Sequence, residues 1–485
     1  MSNRETKTGG REATQGVIPG KFALSVGKPD LPVPKGWDWI KLTDVARLES
    51  GHTPSRKYPE YWDGDIPWIG IKDATANHGR KLNDTFQHTN QLGIDNSSAR
   101  VLPNNTVCLS RTASVGYVVI MNKPMATSQD FVNWVCSDKI DYRYLASILF
   151  AENKSYSLFS RGTTHQTIYF PEVKAFHVLL PKNVQVQKRI ADIIWSLNSK
   201  IELNRQMNKT LEAMAQAIFK SWFVDFDPVH AKANAIANGK DPETAAMEAI
   251  CGQNPDLLGD PEKLRHIASL FPSEFVESEL GLIPKGWEVK NVSDLFNLNK
   301  NSWTKKNQPE FVEYVDLANT KNGLISETQR FSWDEAPSRA RRRVNIGDTI
   351  IGTVRPGNRS FSYIFNETDE LTASTGFAVL SPKENRYREL IYFSSTSDEN
   401  IARLEHIADG GAYPAVNAKE VPDFEIPFEI SIVDCFHKMI DAFLSIIGCN
   451  QLSNNNLAGL RDTLLPKLLS GELSVENAEF EMELV

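Results

Sequence analysis

This sequence contains none of the short motifs that mark common catalytic machinery. No GxxxxGK[ST] phosphate loop occurs; Gly16 to Lys21 (GVIPGK) is one residue short of it and lacks the Ser/Thr. There is no GxGxxG after a strand signal, no Asn/Asp-Pro-Pro-aromatic tetrapeptide of the kind amino-methyltransferases use, no HExxH and no GxSxG. His165 and His177 stand alone, as structural histidines usually do. No run of 18 apolar residues is present, so no membrane-spanning helix is expected. The N-terminal stretch MSNRETKTGGREATQG lacks the apolar core of a signal peptide. The five cysteines (Cys108, Cys136, Cys251, Cys435 and Cys449) form no CxxC pair. That argues against a disulfide framework or zinc site and points to a reducing cytoplasm. An excess of positive charge is also missing. A net charge of -8 weighs against indiscriminate coating of nucleic acid, but it leaves room for local basic grooves.

What the chain does have is an ordinary globular composition, 41% hydrophobic and 24% charged. Its 485 residues are enough for two or three domains. Its clearest pattern runs from Gln185 to Phe226. Ile190, Ile194, Leu197, Ile201, Asn204, Asn208, Leu211, Ala215, Ile218 and Trp222 alternate in steps of four and three, a heptad seam. Adding 246 to each number gives Phe436, Ile440, Phe443, Ile447, Asn450, Asn454, Leu457, Arg461, Leu464 and Leu468. Both Asn recur; the class changes at one place, Ala215 against Arg461. A polar seam residue fixes register at some cost in stability. Asn204, Asn208, Asn450 and Asn454 are therefore the expected register-setters of two long helices that pack on each other. Pro466 predicts an early break in the second helix.

A second repeat punctuates the chain. Pro34-Lys35-Gly36-Trp37 returns as Pro284-Lys285-Gly286-Trp287, an offset of 250. Similar offsets for both signals predict a tandem duplication of one unit, a mixed domain followed by a long helix. Short apolar runs predict strands at 66–71, 106–111, 117–121, 131–136 and 176–181. A helix is expected over 142–151. The second half has matching runs at 311–317, 348–354, 361–365, 377–381 and 424–428, with a helix near 389–393. The expected organisation is α+β: a poorly packed arm (1–33), a mixed domain (34–181) and a long helix (182–227). A helical connector (228–283), a second mixed domain (284–427), a second long helix (428–472) and an acidic tail (473–485) follow.

Polar loops follow several strand signals. Arg111, Thr112 and Ser114 lie in the first, Ser128 and Gln129 in the next, and Arg161, Thr163, Thr164, His165 and Gln166 in the third. Their expected counterparts are Arg355, Asn358 and Arg359, then Ser374 and Thr375, then Tyr413. Arg341, Arg342 and Arg343 add a basic edge. A polar loop by itself is a solvated turn. Hydroxyl, amide and guanidinium groups at matching places in two domains suit phosphate oxygens and base edges. The loop frames match while their side chains differ, as a duplicated reader of two different sequences requires.

The two PKGW stretches, the strand-loop frames at 109–131 and 353–377, the repeated helices, FKSWFVDFDPVHAK (219–232) and LFPSEFVESELGLIPKGW (270–287) together resemble the specificity subunit of type I restriction–modification systems. The resemblance spans about 34–472. It implies two target-recognition domains, each reading half of a split, asymmetric double-stranded DNA target. It also implies an antiparallel coiled coil that sets the gap between the halves. Two methyltransferase subunits holding S-adenosylmethionine and two ATP- and Mg-dependent motor-nuclease subunits are the implied partners. No cofactor and no catalytic residue are expected in this chain. Trp195, Phe219 and Phe223 either dock partners or pack against the recognition domains. The rival readings are an autonomous adenine methyltransferase and a bivalent adaptor for RNA or protein.

Overall fold

The structure, a computed structural model, describes residues 16–162, 166–251, 260–366, 370–408 and 414–483. The chain divides into two compact units, residues 1–202 with 454–485 and residues 203–453. Among the described residues no helix is long and apolar enough to cross a membrane.

The first unit is built on a five-stranded sheet. Its order is Ala46–Ser50, Phe131–Cys136, Val107–Ser110, Val118–Met121 and Arg80–Leu82. Two of the three inner strands, Val107–Ser110 and Val118–Met121, are buried at every position, which is why they read as apolar runs. A three-stranded sheet sets Trp62–Ile69 between Ala126–Thr127 (parallel) and Gln87–Thr89 (antiparallel). A four-stranded sheet joins Ile18–Pro19, Leu24–Val26, Phe176–Pro181 and Trp37–Lys41. The helix Tyr142–Ala151 is started by Asp141, whose side chain accepts from the N–H groups of Arg143 and Tyr144.

Residues 16–33 correct the expectation of a poorly packed arm. Leu24–Val26 is a buried strand, and Glu152, fully buried, explains why. Its carboxylate accepts the backbone N–H groups of Lys21, Phe22, Ala23 and Leu24 at 2.8, 2.6, 2.7 and 3.2 Å. This anchor lies 128 or more residues away in sequence, so no local pattern reveals it. The acidic tail is likewise a helix, Val475–Glu483. Val475 and Ala478 are buried, while Glu476 and Glu479 take both ends of the Arg189 guanidinium at 2.7 and 2.9 Å.

The second unit repeats the frame. Its four-stranded sheet runs Phe296–Leu298, Phe377–Pro382, Thr349–Gly352 and Phe361–Tyr363, the order of the first unit's sheet without its last strand. A second sheet again holds a parallel pair, Phe311–Val315 with Leu371–Ser374, flanked by Gln329–Ser332 and Ala340–Arg343. The helix Arg388–Ser395 matches the expected one. The connector is an integral part of this unit. Its helices Asp227–Ala237, Pro242–Cys251 and Pro261–Leu270 send Val229, Ala246, Ile250, Leu264 and Ile267 into the core. Lys232, nearly fully buried, binds Glu243 and the Phe271 carbonyl, both at 2.8 Å.

The long helices are Val184–Phe223 and Ile430–Ser470. Each is about 60 Å long at 1.5 Å per residue. They pair antiparallel as a coiled coil. In the first unit Arg461 Nη1 donates to Asn198 Oδ1 at 3.0 Å. In the second, Asn450 Nδ2 donates to Asn208 Oδ1 at 2.8 Å, and Asn208 Nδ2 to the Ile447 carbonyl at 3.3 Å. Asn204 is buried and Asn454 half-buried on the same seam. Arg461, the one departure in class, also lies 5.1 Å from the Phe150 ring centroid, so a long cation fills a seam place with its stem. The second helix runs through Pro466 to Ser470, against the expected early break. Pro466 leaves one carbonyl without a helical donor, but buried Leu464, Leu465, Leu468 and Leu469 hold the last turn. Phe219 and Phe223 are buried and stack at 5.6 Å, and half-buried Trp195 donates its indole N–H to the Arg143 carbonyl. All three pack against the domains and are not free surface.

Candidate nucleic-acid interface

In the first unit, loops from distant parts of the chain meet where the strand Val107–Ser110 ends. Arg111 N–H donates to the Asp130 carbonyl at 2.7 Å, and the Arg111 carbonyl accepts from Ile168 N–H at 2.8 Å. Thr112 and Thr167 pair through their hydroxyls at 2.7 Å, and Arg161 exchanges both backbone bonds with Thr167 at 3.0 Å. Loops 111–116 and 128–130 are thereby laced to Arg161, Thr167 and Ile168. Ala113 is left-handed (φ +62°), which gives this hydrogen-bonded loop its sharp turn.

The Arg111 guanidinium sits half-buried, 4.7 Å from the Phe170 ring centroid, with Nη2 donating to the Gln129 carbonyl at 3.2 Å. Among the described residues its buried Nε has no partner, and desolvation lowers the Arg111 pKa. Ser128 is buried and donates to Asp130 at 3.0 Å, so its hydroxyl shapes the turn. Ser114 is half-buried, and its carbonyl takes the Ser110 hydroxyl. Gln129, Arg161 and Gln166 are exposed. Thr163, Thr164 and His165 lie outside the described residues.

A fourth loop, Gly51–Tyr58, joins this group and was not anticipated. His52 N–H donates to the Thr127 carbonyl at 2.9 Å, and the Thr53 hydroxyl bonds Gln129. A Cβ at Gly51 would overlap the Ser128 carbonyl oxygen and the Thr127 hydroxyl, so glycine is required by the close approach. The loop carries Arg56 and Lys57, both exposed. The available signal was a Pro-punctuated basic stretch between two strands.

In the second unit the same backbone bonds recur: Thr353 N–H to the Gly376 carbonyl at 2.8 Å, and Val416 N–H to the Thr353 carbonyl at 2.9 Å. This corrects the expected pairing of Arg111 with Arg355. Phe131 faces Ser110 and Phe377 faces Gly352, so the residue after the strand is Arg111 in one unit and Thr353 in the other. Arg355 lies two residues further on, in a loop that turns through residues 356–358 with Arg355 and Arg359 both left-handed. Arg355 and Asn358 are exposed. Arg359 donates to Asn322 at 2.8 Å and to Asp398 at 2.6 Å, so its guanidinium ties loops together. Ser374 is buried and accepts from Gly376 N–H at 3.2 Å; Thr375 is exposed. Tyr413 lies outside the described residues.

The basic run Arg341, Arg342 and Arg343 forms a bulged edge strand, all three half-buried. Arg341 lies 4.4 Å from Trp333 and Arg343 5.2 Å from Trp303. Arg342 donates to Ser302 at 3.2 Å, and desolvation lowers its pKa. An indole beside a guanidinium limits its rotamer freedom and gives a cation–π contact. Trp303 and Trp333 are thus part of this surface, although nothing in their spacing marked them.

Among the described residues one group has metal-ligand spacing: Glu389, His437 and Asp441. His437 Nδ1 and Glu389 are bonded at 2.7 Å, and Asp441 accepts from Arg388 at 2.6 Å. The hydrogen bond to Glu389 raises the His437 pKa, while burial raises that of Glu389. The His437 ring and the Arg388 guanidinium already hydrogen-bond Glu389 and Asp441, so this group is a closed hydrogen-bonded cluster.

A family model described as the type I restriction modification DNA specificity domain matches residues 34–213 and 284–430. The HindI specificity subunit of Haemophilus influenzae, a type I restriction enzyme component, is 30% identical over 482 residues, covering 90% of this chain and 99% of that one. The MjaIX specificity subunit of Methanocaldococcus jannaschii is 25% identical over 452 residues, covering 92% and 95%. A crystal structure of the S subunit of a type I restriction-modification system from M. genitalium shares the fold, with a TM-score of 0.50 at 14% identity over 91% of this chain and 98% of that one. With two matched specificity domains, each carrying laced polar loops at the end of its main sheet, the chain belongs to the DNA specificity subunits of type I restriction–modification systems.

Proposed function

We propose that this DNA specificity subunit reads a split, asymmetric duplex target, one half with each recognition domain. In this reading it is the non-catalytic scaffold for two methyltransferase and two motor-nuclease subunits. The observation that supports it is one hydrogen-bonded frame built twice with different side chains at its tips. Arg111 on Phe170 stands in one copy where Thr353 stands in the other. A shared frame gives both domains the same approach to a groove; different donors and acceptors select different bases. S-adenosylmethionine, ATP and Mg belong to the partners in this reading, and the complex works in the cytoplasm.

The test is adenine-methylation mapping in cells that express the chain with its methyltransferase partner. The expected result is one bipartite motif with a fixed gap. Methylation by the isolated chain with S-adenosylmethionine would instead make it an enzyme. Tight binding to RNA or protein, with no duplex preference in the assembled complex, would make it an adaptor. Insertion of one turn into both long helices should change the tolerated gap, because each turn adds ~5.4 Å.

A further inference from the structure

The loop Gly51–Tyr58 carries a side chain whose setting goes beyond general affinity for phosphate. Arg56 is exposed, yet its guanidinium is held on two sides. It lies 4.2 Å from the Trp62 ring centroid and 5.4 Å from that of Trp68, in the corner made by two indoles set at 88°. Its Nη2 donates to Gln87 Oε1 at 2.8 Å. Among the described residues nothing else takes its remaining N–H groups. Gln87 comes from the neighbouring strand, where it faces Trp68. The Gln87 oxygen takes one N–H of Arg56, and the guanidinium, which has no acceptor of its own, keeps its remaining donors.

A rigid, planar, donor-only surface has a specific complement. In the major groove guanine presents two acceptors, N7 and O6, whereas adenine, cytosine and thymine each present a different pattern. A phosphate also accepts, but it needs neither planarity nor a fixed plane; a mobile lysine serves as well. The two indoles remove the rotamer freedom that a phosphate contact does not require removed. The loop is also fastened to the other reading loops through His52 and Thr127, and through Thr53 and Gln129.

We infer that Arg56, oriented by Trp62, Trp68 and Gln87, reads a guanine in the half-site of the first recognition domain. This rests on the two-half-site reading above. The experiment compares wild type, R56A and R56K in the complete complex by methylation mapping and by competition with targets substituted at single positions. Expected is loss of preference at one G·C pair in one half-site, about 5- to 150-fold, since such a contact is worth ~1–3 kcal/mol at ~1.4 kcal/mol per tenfold. R56K should not restore it, and the other half-site should be untouched. Restoration by R56K, or a uniform loss on all sequences with a shallower salt dependence, would make Arg56 a phosphate contact and overturn the inference. So would an unchanged motif in R56A. If R56A unfolds its domain, Q87L decides, because it keeps the stack and frees the guanidinium: it should weaken preference at that same pair, and an unchanged motif refutes the assignment. A wild-type complex with no split target would overturn both readings together.

Discussion

The asparagine pair between the long helices gives a quantitative prediction. Asn450 donates to Asn208 at 2.8 Å, and Asn208 donates onward to the Ile447 carbonyl. A neutral hydrogen bond contributes about 0.5–1.5 kcal/mol net. Both residues are half-buried, so water can reach an orphaned oxygen, and the full penalty for an unsatisfied group does not apply. N450A should therefore cost about 1 kcal/mol and N208A, which loses both bonds, about 1–2 kcal/mol. The double variant should cost less than their sum by roughly 0.5–1.5 kcal/mol, the coupling of the shared bond. Replacing both by Leu should recover stability and loosen register, because an apolar seam tolerates more than one alignment. Native-state hydrogen exchange over 203–212 and 443–453 reads these local opening energies directly, whereas a chain of two units need not unfold in one step. Additivity within about 0.3 kcal/mol, or a Leu pair that keeps a single register, would refute the reasoning.

Arg111→Ala should weaken specific binding and relax one base in one half-site by ~1–3 kcal/mol, measured by competition with substituted duplexes. An equal loss on every sequence would mark a phosphate contact. Gly51→Ala should displace the 127–130 turn and abolish selectivity in the first half-site while the second survives, as mapped by methylation. Glu152→Gln should loosen residues 18–26 by roughly 3 kcal/mol, because a buried carboxylate that accepts several N–H bonds is replaced by a group that is half donor; limited proteolysis there should accelerate. His437 has its pKa raised by its bond to Glu389. Its stabilising contribution is therefore complete below 6.5, the ordinary value, and is lost as pH rises through the raised folded value. Exchange protection of the helix Arg388–Ser395 should fall on that alkaline side, and H437Q should flatten the profile.

Features that rest on short-range periodicity were readable before folding. The heptad seams, their paired Asn, the buried strands read as apolar runs and the doubled frame were all legible, because a period of 3.5 or 2 is set by local backbone geometry. The family was indicated separately, by the resemblance of quoted motifs such as the two PKGW stretches. Tertiary structure alone decided the rest. Leu24–Val26 became a strand because Glu152, far along the chain, accepts its neighbours' N–H groups. Pro466 stayed helical because four leucines around it are buried. Thr353, not Arg355, took the place of Arg111 because cross-strand register is set by partner strands rather than by loop composition. Arg56 became a poised donor because two tryptophans and a glutamine from other strands converge on it. Loop side chains acquire their chemistry from neighbours that only folding supplies.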